Sequence, residues 1–96
     1  MFTGVARTDV NPNSTVTLES TVGGFFIAGT FGNNYAGCAY LVLASWTGIH
    51  NVTTLCESKN ISCTFKNCRS TENKIRATIN AGALSGSVPF CIYALT

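Results

Sequence analysis

Charge is the scarcest ingredient of this chain. Asp, Glu, Lys and Arg make up 10% of its 96 residues, against roughly 25% in an average soluble domain. A lone domain of this size normally coats itself with Lys and Glu. Thr, Ser, Asn and Gly stand in for them here, a surface suited to subunit contacts, an extracellular setting or a place inside a larger particle. Net charge is only +2, and although Lys66, Arg69, Lys74 and Arg76 lie close in sequence, Glu72 sits among them and Phe65 is the one aromatic nearby. Nucleic-acid binding needs a denser basic face, so no nucleic-acid partner is expected. Long apolar runs are also missing. The stretches around 25–28 and 39–44 are far shorter than the roughly 20 residues of a membrane span, so no membrane insertion is expected. The opening MFTGVARTDVNPNST has no basic segment leading into an apolar one and reads as no export signal.

Catalytic residue types are thin as well. The chain has one histidine, His50, and four carboxylates, Asp9, Glu19, Glu57 and Glu72. A Cys–His nucleophilic pair would have to use His50 with Cys56, six residues on in a strand-like run, which gives the pair no geometric support. Two carboxylates acting at one site would have to come from distant elements. Neither a phosphate-cradling glycine loop nor a G-x-S-x-G elbow occurs. The expectation is a protein that binds or assembles rather than an enzyme, with no cofactor.

Cysteine is plentiful by contrast. Cys38, Cys56, Cys63, Cys68 and Cys91 form an odd set with irregular gaps, which argues against a complete disulfide framework. The C-x6-C-x4-C order is not the paired spacing of a zinc site, so no metal is expected. Cys56, Cys63 and Cys91 lie in apolar strand-like runs, where a thiol acts as a small buried hydrophobe. Reduced, mostly buried thiols are the expectation, with a Cys63–Cys68 loop disulfide as the alternative.

What the chain has throughout is period-two patterning. Val16 and Leu18 alternate with Thr15, Thr17 and Glu19 after an NPNS turn, as in a half-buried strand. The paired glycines of VGGFFIAGTF suggest a bulge or a close backbone approach. CAYLVLASW is apolar on both faces; IHNVTTLCE and NISCTF follow after turn residues. In KIRATIN, Ile75, Ala77 and Ile79 point one way and Lys74, Arg76, Thr78 and Asn80 the other. SVPFCIYAL closes the chain, its Pro89 marking an edge or the first residues of a strand. About seven short strands at regular spacing describe a single all-β domain, 1–96, a small antiparallel sandwich of jelly-roll-like kind behind an extended N-terminal arm, 1–14.

The two-faced strands carry a consequence. Tyr40, Val42, Ala44 and Trp46 share one face of their strand, Ala39, Leu41 and Leu43 the other; Phe90, Ile92 and Ala94 oppose Cys91, Tyr93 and Leu95. A sandwich gives each sheet a single inside, so the second apolar face needs cover, from another part of the chain or from further copies in a closed oligomer. Burying even ~400 Å² of it per subunit is worth on the order of 10 kcal/mol before association costs. For a binding surface the informative residues are aromatics beside amides: Asn33, Asn34 and Tyr35 in GNNY, and Trp46, His50 and Asn51 in WTGIHN. Amides hydrogen-bond sugar hydroxyls while aromatic faces cover apolar C–H patches. Trp46 packed in the core or in a subunit interface is the competing assignment.

The order GGFFIAG, GCAYLV, NVTTL, NISCTF, KIRATIN and VPFCIYALT, over residues 15–96, resembles the C-terminal head or tip domain of phage tail fibres and related receptor-binding proteins. The resemblance implies a β-sandwich head on a virion, a homotrimer acting outside the cell by binding a host-surface glycan or protein. Two other classes suit the residues: a structural subunit that decorates a capsid or builds a filament, and a secreted lectin-like domain.

Overall fold

In a computed structural model, the described residues, 2–21, 23–29, 36–45, 48–68 and 74–95, form eight strands: β1 (Phe2–Val10), β2 (Thr15–Ser20), β3 (Gly24–Gly29), β4 (Gly37–Ser45), β5 (Gly48–Glu57), β6 (Ile61–Asn67), β7 (Ile75–Ala81) and β8 (Val88–Leu95). They make two antiparallel sheets, ordered β1-β8-β3-β4-β5 and β2-β7-β6. First strand pairs with last and second with next-to-last, the jelly-roll-like feature of the fold; β3, β4 and β5 then run as a meander. The expected sandwich is therefore present, with one strand more than the pattern suggested. The extra strand is β1, which covers most of the segment read as an extended arm and pairs with β8 from Phe2↔Leu95 to Val10↔Val88.

Alternation places the core. Ile75, Ala77 and Ile79 of β7 are fully buried, as are Phe26, Val42, Val88, Phe90 and Ile92 from the facing sheet. Aromatic edges join the two layers: the Phe65 ring on β6 stands T-shaped against Phe26 at 5.0 Å and against Tyr40 at 5.3 Å. Such pairs are worth about 0.5–1.5 kcal/mol each beyond their buried area.

The paired glycines mark a close approach. At Gly24, whose φ is +154°, a Cβ would stand 2.1 Å from the Tyr93 carbonyl oxygen. At Gly23 it would stand 2.5 Å from that of Val42, so two neighbouring backbones close over a stretch where only glycine fits. Pro89 is the second residue of β8 and faces Asp9 of β1. The β3 pairing begins only at Phe90, so the missing N–H falls where β8 has a single neighbour.

Both chain ends lie at one end of the sandwich, because β1 and β8 are antiparallel and Phe2 faces Leu95. The end of β4 and the start of β5 share that end, since Gly24 faces both Ala94 and Val42 and Ser45 faces Gly48. At the opposite end lie the β1–β2 turn, Gly29 and Gly37, the β5–β6 turn and the β7–β8 connection.

Candidate functional sites

Three places hold chemistry, and the largest is the outer face of the five-stranded sheet. Register sets Gly4, Tyr93, Phe25, Leu41 and Thr53 in one row across five strands, and Arg7, Cys91, Ile27, Ala39 and Cys56 in the next. Leu43 extends the field along β4, and Leu55 enters it from a bulge in β5. Leu43 is 53% exposed, Leu55 52% and Ile27 39%, and Phe25, Ile27, Leu55 and Tyr93 line a shallow groove of about 500 Å³. Among the described residues no element packs over this face: the three-stranded sheet lies on the other side, and the two-faced patterning of β3, β4 and β8 ends in one covered and one uncovered surface. Four strands about 4.8 Å apart and five residues at about 3.4 Å give it roughly 300 Å² in projection. The largest apolar patch on a typical monomer is of that order and is often functional.

A polar cleft of about 450 Å³ occupies the end remote from the chain termini, with Glu57, Ser58, Asn60, Ser62, Asn80 and Gly82 among its lining. Glu57 is tied to the core. The buried Tyr40 hydroxyl donates to Glu57 Oε2 at 2.5 Å and accepts the Cys63 N–H at 2.8 Å, bridging the two sheets. The Ser58 N–H donates to the Gly37 carbonyl at 2.8 Å, and Ser58 Oγ accepts from the Gly37 N–H at 2.7 Å. Asn60 adopts a positive φ of 73°, a conformation Asn tolerates better than most residues. The Asn60 carbonyl accepts the Gly82 N–H at 2.7 Å.

The third place is a charge cluster: Lys74 reaches Glu19 at 3.0 Å and Arg76 reaches it at 3.3 Å. The Lys74 hydrogen bond holds the Glu19 carboxyl below its ordinary value; burial opposes this, and Arg76 adds to the lowering. Two of the four cations that gave the 66–76 segment its basic look are thus engaged by a carboxylate on the neighbouring strand.

Among the described residues no cysteine is in a disulfide. Cys38, Cys63 and Cys68 are buried as expected, but Cys56 is exposed and Cys91 half-buried. Cys56 faces Ala39 on the uncovered surface, so an apolar run did not guarantee an inside position. Burial pushes the Cys38 thiol up to about 11 and the Cys63 thiol to about 12. Burial also drives the Tyr40 phenol well up, with the Glu57 carboxylate adding to it. None of the three ionises near neutrality. Six residues of strand, about 20 Å, separate His50 from Cys56, so these two form no nucleophilic pair. Among the described residues no three of His, Cys, Asp and Glu converge to hold a metal.

Of the residues expected to bind a ligand, His50 and Asn51 lie among the described residues. His50 and Asn51 are exposed near the start of β5: the His50 Nε2 lies 2.7 Å from Ser45 Oγ, and Asn51 Oδ1 accepts from Thr53 Oγ1 at 2.8 Å. His50 is thus a strand residue. Trp46, Asn33, Asn34 and Tyr35 lie outside the described residues. Gly29 and Gly37, which bracket the 33–35 segment, are toward the other end of β4 from His50, about 22 Å along the strand. The cleft around Glu57 went unnoticed in the sequence. Its only signal was a lone carboxylate followed by a polar S-K-N turn between two strands. No family model, curated protein or solved structure matches the chain.

Proposed function

We propose that this domain is a non-enzymatic attachment head of the phage tail-fibre type, a homotrimer carried on a virion that binds a host cell-surface glycan or protein. The observation that supports it is the apolar outer face of the five-stranded sheet. Three copies turned toward a common axis bury Phe25, Ile27, Leu43 and Leu55 against their equivalents, and a closed ring leaves no such face over. The scarcity of charge suits a subunit that passes part of its surface to neighbours. Position supports the head assignment, since whatever is joined to either terminus enters at one end and leaves the opposite end clear for a receptor.

Light scattering coupled to size-exclusion chromatography tests the assembly: the expected mass is three times 10.2 kDa. The pair Leu43→Lys and Leu55→Lys should return a folded monomer. A wild-type chain that stays monomeric at high concentration sinks this reading. Labelled chain should also adhere to host cells, and adhesion should weaken in the monomeric variant as multivalency is lost.

A further inference from the structure

We propose that the polar cleft formed by Glu57, Ser58, Asn60, Ser62 and Asn80 is a binding site for a neutral saccharide. The proposal rests on the attachment reading for the origin of that saccharide, a host surface; its chemistry comes from the cleft alone.

Position is the first argument. Phe2 and Leu95 face each other at one end of the sandwich, whereas Glu57 closes β5 and Asn60 precedes β6 at the other. The nine residues of β1 put about 30 Å between the two ends. A chain or shaft joined at either terminus leaves the cleft at the distal tip. Gly29 and Gly37 pair at the same end.

Chemistry is the second. Each sugar hydroxyl both donates and accepts, and vicinal pairs suit a carboxylate beside carboxamides. Glu57 offers that acceptor: one oxygen is held by Tyr40, and the other has no protein partner among the described residues. Asn80 Oδ1 accepts from Thr15 Oγ1 at 3.2 Å, which fixes the amide and leaves its N–H donors available. The Asn60 carboxamide and the Ser62 hydroxyl have no protein partners among the described residues. Among the described residues Glu57 is the single charged side chain in the lining, its turn neighbour Lys59 standing outside it, and a lining carboxylate disfavours phosphate, sulfate or acidic sugars. Gly82 leaves the floor without a side chain, so a ring can lie close to the backbone.

Rigidity is the third. The carboxylate is fixed by a buried tyrosine, the β5–β6 turn by its pair of Gly37–Ser58 bonds, and the floor by the Gly82–Asn60 bond. Polar groups already held in place lose little freedom when a ligand arrives.

The test is the full chain on an array of immobilised neutral oligosaccharides ending in galactose, glucose or N-acetylhexosamine, with sialylated and sulfated glycans alongside. The expected result is binding to at least one neutral glycan, weakened tenfold or more by Glu57→Gln and by Asn80→Ala and unchanged by Lys66→Ala. Glu57→Gln keeps an oxygen for the Tyr40 hydroxyl, so the variant should hold its fold, which thermal melting checks. Binding that ignores both substitutions, binding to acidic glycans alone, or no glycan binding at all overturns the proposal. Cell adhesion that survives Glu57→Gln in an intact trimer removes the cleft while leaving the attachment reading in place. A monomer that binds neutral glycans through Glu57 does the reverse.

Discussion

At the scale of single residues, Tyr40 does the most. Its ring stacks edge-on with Phe65 and its hydroxyl joins three strands: β4 by its own position, β5 through Glu57 and β6 through the Cys63 N–H. Tyr40→Phe keeps the ring and leaves a buried N–H without an acceptor. The expected cost is about 1–3 kcal/mol in urea unfolding, with no change in the far-ultraviolet spectrum. The buried thiols beside it give a pH signature. An unfolded chain releases these protons near the ordinary 9, whereas the folded chain holds them to about 11 at Cys38 and about 12 at Cys63. Between those values the unfolded state binds fewer protons, so stability is full below pH 9 and falls as the pH rises toward the folded values. Urea midpoints should therefore drop as the pH rises from about 9 toward about 11, and the double variant Cys38→Ala, Cys63→Ala should flatten the drop.

At the scale of elements, β7 is the strand on which the smaller sheet depends. It lies between β2 and β6 and buries Ile75, Ala77 and Ile79 completely. Ile79→Ala should cost about 2–5 kcal/mol in calorimetric or urea unfolding. This strand was fully legible in KIRATIN, because a half-buried strand with one wet face writes its alternation directly into the residue types. β1 was not legible as a strand. Its inward positions include the small Ala6 and the polar Thr8, and a register shift between Gly4 and Ala6 interrupts the period at Val5. Only Val10, fully buried at its end, declares it. The two-faced patterns of β3, β4 and β8 correctly announced a second apolar surface. The cleft at Glu57 stayed hidden because it gathers the ends of β5, β6 and β7, and a meeting of three strand ends has no sequence period.

At the scale of the molecule, the proposed association is apolar, and that sets its response to conditions. The outer field around Phe25, Ile27, Leu41 and Leu43 carries its nearest charges at Arg7 and Asp9, which face each other along β1 at 3.7 Å. Salt screens charge pairs and leaves apolar burial intact. The mass measured by light scattering should therefore hold from about 50 mM to about 1 M salt. An assembly that falls apart in salt points to polar contacts elsewhere.

The pairing of the first strand with the last has a cost in time. β8 lies between β1 and β3 and comes last of the eight strands in chain order, so a ribosome releases the centre of the larger sheet after every other strand. Until then β1 has no neighbour in its sheet, and β3 and β4 wait with greasy residues on both sides. Contacts that span nearly the whole chain form slowly and leave the intermediate open to aggregation. A chain stopped at Ser87 should accordingly appear in the insoluble fraction of expressing cells, while one stopped at Leu95 should stay soluble and folded.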